Sequence, residues 1–225
     1  MTYTLKRSKR KTVAVYICNG FVEVRAPLKL PKHEIDKFVI SKEKWINKHI
    51  AESQQQVNQR YNFNLNYGDT IYIMGTPHII TGRDNPFSVT NNEDTKLFIQ
   101  SGMSSEQIKQ ACIEFYRLVA LGHLIPRTEE IASTMAVKPV SIKINNAKKR
   151  WGSCGADGKI NYAWRLIMAD DNIIDYVIVH ELAHLVEMNH SKRFWAIVYK
   201  YIPDFKECRK RLRALQIKLL NENWD

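Results

Sequence analysis

Apolar and polar residues alternate at the start of the chain. Val13–Ile17 and Phe21–Arg25 are β-rich runs on either side of Asn19-Gly20, a dipeptide suited to a two-residue hairpin turn. Pro31 stands where a first helical turn would begin, and a second helix is expected from Ser41 to about Gln56. Residues 66–100 return to short strands at Thr70–Met74, His78–Thr81, Phe87–Thr90 and Lys96–Gln100, separated by Gly- and Pro-containing turns. At Ser104 the period lengthens: Ile108, Cys112, Phe115, Val119 and Leu121 or Leu124 keep near-helical spacing, and a second helical segment continues past Pro126 to about Met135. Val140–Ile144 reads as a strand and Ser153–Trp164 as a hairpin around Ala156-Asp157-Gly158. Asp171 is the expected cap of a helix from about Asn172 to Glu187, and a last helical region runs from Ser191 through Pro203 to about Leu220.

No internal repeat or low-complexity tract interrupts this order. The change of period at Ser101-Gly102 predicts a boundary, with a strand-rich region containing two helices over 1–101 and a second domain over 102–225. That second domain is expected to be α+β, with a small mixed or antiparallel sheet packed on the 172–187 helix and backed by the helix from Ser104.

Composition narrows the function. With 225 residues, 44% of them hydrophobic, the chain can bury a core and is not a disordered polymer. Its 34 Lys and Arg outnumber 23 Asp and Glu, which favours an anionic partner, nucleic acid among them, over a neutral one. The surplus is uneven: residues 1–60 hold 13 basic and 5 acidic residues, and residues 141–225 hold 15 and 10. A merely solvated basic face accounts for the same numbers equally well. No apolar run approaches the roughly 20 residues of a membrane span, and none follows the cationic first residues as a signal peptide would require. The four cysteines lie far apart without a CxxC pair, so free thiols and a cytoplasmic location are expected.

One segment carries chemistry, His180-Glu181-Leu182-Ala183-His184. Histidines four apart on a helix differ by about 40° around its axis, so both imidazoles point the same way, as two ligands of one zinc ion require. Glu181 projects beside them, suited to deprotonate a water at the metal. Ile173, Ile174, Val177, Ile178, Leu182 and Leu185 make the helix a core element, where unpaired polar groups would be costly and a metal would satisfy them. His190, six residues after His184, is the preferred third ligand; Asn189 tolerates the left-handed backbone that would swing it over the metal. Glu187, seven after His180 on the same helical face, is the competitor as a ligand or as an outer carboxylate.

Lys149–Cys154, Asn161–Ile167, Asp175–His184 and Met188–Trp195 together resemble the YgjP-like family, predicted metal-dependent hydrolases related to the SprT and WLM-type zinc metallopeptidases. The resemblance covers about residues 140–215. It implies a zincin-like fold, zinc held by His180, His184 and His190, and Glu181 as the catalytic base. Asp170 stands where the family has proline, and Lys210-Arg211-Leu212 lacks its usual tryptophan; both positions are peripheral to the metal.

Residues around Trp151 can be read physically as well. A strand beside the metal helix, with Gly152 leaving its backbone exposed, would accept an extended peptide as one more strand. Ser153 and Asn161 could orient substrate and Trp151 could wall the cleft, whereas Trp164 is assigned to the core and Cys154 to a small buried position. Lys148-Lys149-Arg150 and Lys192-Arg193 flank the motif and would place an active site in a positive field. Three functions compete. The first is a zinc metallopeptidase, a hydrolase of peptides. The second, which the family resemblance admits, is a metal-dependent nucleoside triphosphate (UTP) pyrophosphatase, although no Gly-rich phosphate loop supports it. The third is a basic nucleic-acid-binding module with a structural zinc, against which Glu181 argues, since a closed site needs no base.

Overall fold

Asn19 and Gly20 both take left-handed backbone, φ 51° and 81°, and so close the hairpin between β2 (Ala14–Cys18) and β3 (Phe21–Pro27). The computed structural model describes residues 1–84, 88–90 and 95–224. They form two compact units, Met1–Phe63 with Lys218–Asn223, and Asn64–Ile217 with Trp224. In the first unit β1 (Thr4–Ser8), a strand not foreseen from the sequence, adds parallel to β3, giving the order β1-β3-β2. Every second residue of β3 faces inward: Val22, Val24 and Ala26 are buried with Ile35 and Val39 of α1 (Lys32–Ser41) and Ile46 of α2 (Glu43–Tyr61).

The second unit starts with a four-stranded sheet, β4 (Thr70–Ile73), β5 (Thr76–Arg83), β6 (Ser88–Thr90) and β7 (Lys96–Gln100), in the order β4-β5-β7-β6. Phe87, the expected start of β6, lies outside the described residues. The boundary expected at Ser101-Gly102 falls inside this unit. Two contacts tie its sheet to later residues: Met74 donates its N–H to the Ile167 carbonyl at 2.7 Å, and Tyr67 bridges the Gln100 carbonyl and the Met103 N–H.

Ser104 and Gln107 form a reciprocal capping box that opens α3 (Ser105–Thr134). This is one helix of 30 residues rather than two segments; Pro126 forfeits a single backbone bond inside it. The next three strands, β8 (Ser141–Asn145), β9 (Gly152–Cys154) and β10 (Lys159–Ala163), pair in the order β8-β10-β9, with β8 parallel and β9 antiparallel to β10. The sheet is therefore mixed, as expected of an α+β unit. Directly after β10 the chain tightens into a fully buried 3₁₀ turn, Trp164–Met168. Trp164 is core, stacked on Tyr116 of α3 at 5.6 Å, and its indole N–H donates to Asn146. Arg165 is buried too; it donates to Asn146 and to the Trp224 carbonyl.

Three helices close the unit: α4 (Asp171–Ala183), α5 (Lys192–Tyr201) and α6 (Phe205–Leu220). The cap of α4 is Asp170, whose side chain accepts from the Ile173 N–H, and not Asp171, which begins the helix. Arg211 of α6 also binds the Asp170 carboxylate. Ser191 caps α5, and the chain breaks at Ile202-Pro203, so the last helical region is two helices. Among the described residues no helix is long and apolar enough to cross a membrane, and the four cysteines are free thiols.

Candidate metal centre

α4 is apolar on nearly every side, with Ile173, Ile174, Val177, Ile178, Val179 and Leu182 buried, so its polar residues are polar for a reason other than solvation. The helix ends at Ala183, one turn earlier than its apolar pattern suggests. His184 is the C-cap, still in αR backbone (φ −67°, ψ −20°), and therefore stays on the helical spiral one turn after His180. Beyond it, Glu187 has left the helical face. Its backbone carbonyl accepts from His184 Nδ1 at 3.2 Å, which turns the Nε2 of His184 toward the cluster.

His190 arrives from the turn that follows. Asn189 does not adopt the left-handed conformation expected of it; the Ser191 N–H donates to the Asn189 carbonyl at 2.9 Å and folds the chain back locally. His190 Nε2 then stands 3.1 Å from His180 Nε2, and a ring nitrogen from each of His180, His184 and His190 lies within 4.8 Å of the others. The Glu187 carboxylate is not part of this group.

Beneath the histidines lies an aromatic floor. Phe194 of α5, fully buried, has its ring centroid 4.9, 4.6 and 4.7 Å from those of His180, His184 and His190. Trp195 stacks on His190 at 5.7 Å, and Tyr176, one turn before His180, meets that imidazole edge-on. Burial holds His180 far below the usual imidazole range, at about 3, with its two histidine neighbours and Arg209 adding to the effect. Burial lowers His184 likewise. Neutral imidazoles with converging lone pairs are the form in which histidine binds a transition-metal ion, and His180 Nδ1 is buried without a partner among the described residues. The donor set fits a borderline divalent metal.

Glu181 is not one of the clustered donors; its side chain lies against β9. A Cβ built on Gly152 would lie 2.6 Å from Glu181 Oε1 and 2.7 Å from Cγ, so the strand touches the carboxylate because residue 152 has no side chain. The Cys154 N–H donates to the same carboxylate. Burial raises the Glu181 carboxyl to about 7, against the opposing pull of Arg150 and of that hydrogen bond. A bound divalent cation would pull it back down.

Sequence-selected residues divide here. Gly152 and Glu181 meet, and the three histidines cluster. Ser153 and Asn161 pair across β9 and β10, and strand alternation turns their side chains to the face opposite Gly152 and Glu181. Trp151 is half-buried ahead of β9, with its carbonyl bonded to the Ala163 N–H at 2.8 Å. Phe194, Tyr176 and Arg209 are neighbours of the histidines that no spacing rule selected. Gly152→Ala is expected to lower kcat roughly 10- to 100-fold by displacing Glu181, with metal content unchanged. Unaltered kcat by steady-state kinetics would show that Glu181 yields without cost.

The profile of the YgjP-like family, a YgjP-like metallopeptidase domain, matches residues 11–215. No curated protein sequence matches the chain. Among solved structures, the metallopeptidase zymogen of Pyrococcus abyssi abylysin is similar over 44% of this chain and 97% of that one, with 23% identity and a TM-score of 0.38. The metallopeptidase zymogen of Methanocaldococcus jannaschii jannalysin is similar over 40% and 94%, with 18% identity and a TM-score of 0.37.

Proposed function

The chain belongs to the YgjP-like family of metallopeptidase domains, and from that premise we propose that it is a zinc-dependent peptidase whose general base is Glu181. The observation that supports this most directly is the cluster of three histidines on and after the helix that also carries Glu181, whose buried carboxylate packs on the backbone of an edge strand. His180, His184 and His190 hold the metal through ring nitrogens, with His184 using Nε2 because its Nδ1 faces the Glu187 carbonyl. When bound, the zinc supplies Lewis-acid polarisation of the scissile carbonyl and of the attacking water.

The chain's own groups do the rest. Glu181 takes the proton from the water on a carboxylate oxygen and passes it to the leaving amine, while the Cys154 N–H keeps the carboxylate oriented. The edge of β9 is arranged to hold an extended peptide. Trp151 and Gly155 spend backbone groups on β10, and Ser153 pairs with Asn161, so the N–H and carbonyl of Gly152 and the carbonyl of Cys154 are left for the unpaired edge, the Cys154 N–H being held by Glu181. Ser153 and Asn161, on the far face, would act on the strand's shape more than on substrate.

The test is a panel of peptides and nucleoside triphosphates presented to zinc-loaded protein, with metal content measured in parallel. Peptide cleavage that chelation abolishes and zinc restores is expected. Hydrolysis of nucleotides without cleavage of any peptide would transfer the site to the pyrophosphatase reading. A firmly held metal with neither activity would favour the nucleic-acid-binding module.

A further inference from the structure

Arg209 of α6 is exposed, yet it is not an ordinary surface cation. Its guanidinium stands 5.0 Å from the ring centroid of Trp195, and that indole stacks on His190 and on Phe205, with interplanar angles of 25° and 19°. The indole is also 5.9 Å from His180. A planar cation resting on a ring that is itself packed against two others is pre-positioned.

Among the described residues Arg209 has no carboxylate partner. Acids at the head of α4, along it and on α6 are engaged elsewhere: Asp170 with Arg211, Asp175 with Arg127 and Glu207 with Lys210. The three imidazoles bring no negative charge, and Glu181 is turned to β9, where Arg150 acts on it. A divalent ion on the histidines would make the surroundings of Trp195 more positive still. A guanidinium fixed in such a field, its donors open to solvent, is complementary to an anion that the chain itself does not supply.

We propose that Arg209, held over Trp195, forms a subsite for a carboxylate of the peptide substrate close to the scissile bond. The carboxylate is that of an acidic side chain or of the peptide's own C-terminus; both have the planar, two-oxygen shape that a guanidinium fork reads. The subsite rests on the peptidase reading and adds selectivity to it.

The experiment uses the zinc-loaded full chain and matched peptides. One pair differs by Glu against Gln beside the cleaved bond with both ends blocked, and another by a free against an amidated C-terminus. Wild type is expected to favour the carboxylate-bearing member of at least one pair roughly tenfold in kcat/KM, the size of one charge-assisted contact. The preference should shrink with added salt. Arg209→Gln should bring the two members level, chiefly by raising KM for the acidic one, and Arg209→Lys should restore part of the difference. Calorimetric binding of the same peptides to Glu181→Gln, with and without Arg209→Gln, reads the subsite without turnover. A preference that survives Arg209→Gln overturns the proposal alone, as does an equal loss on both members of a pair. Wild type that cleaves no peptide overturns the peptidase reading, and the subsite with it.

Discussion

Glu181→Gln is expected to retain the metal and to lose roughly 10²–10⁴-fold in turnover, the range for removal of a general base. The amide is nearly isosteric, so it still fits against Gly152 and still accepts the Cys154 N–H through its carbonyl oxygen. It cannot accept the proton. Because Glu181 points to β9 while the histidines converge elsewhere, bound zinc measured by elemental analysis should match wild type. Full turnover in this variant would remove the proposed base from both hydrolase readings and leave the structural-metal module as the better account.

His184→Ala should act differently, losing metal and activity together. It removes one of three converging nitrogens and breaks the bond to the Glu187 carbonyl that orders the turn carrying His190. The thermal midpoint separates this from a purely chemical defect. Zinc at about a hundred times its Kd stabilises a folded protein by roughly 2.7 kcal/mol, so wild type should show a zinc-dependent rise in Tm that His184→Ala lacks. An undiminished rise would mean that the ion binds somewhere other than this cluster.

Local pattern made much of this arrangement legible. The HExxH spacing on an apolar helix pointed to two of the clustered imidazoles and to a carboxylate beside them, and the Asn19-Gly20 turn gave the first hairpin. What sequence left open depended on where elements stop and on contacts made at long range. Glu187 competed with His190 only while α4 was counted as continuing to residue 187; once the helix ends at Ala183, the seven-residue offset no longer describes a shared face. A two-residue period shows that Ser153 and Asn161 can share a sheet face, but not which face meets α4. Either of two adjacent aspartates could cap α4, and Asp170, the one that does, also pairs with a cation 41 residues away. The bond from Met74 to Ile167, which joins the four-stranded sheet to the buried 3₁₀ turn, leaves no mark on either segment's composition. Nor does the placement of Phe194 under all three imidazoles, although both partners lie close in the chain.

The contact between Gly152 and Glu181 also binds the two positions together in descent. Residue 152 sits against the γ-carbon and carboxylate of residue 181, where a methyl group would already stand 2.6 Å from a carboxylate oxygen. Any side chain at 152 therefore has to be accommodated by a shift of the Glu181 side chain, so a change at one position is felt at the other. A shorter acid at 181 would relieve the crowding at 152 at the cost of the reach on which the proposed chemistry depends.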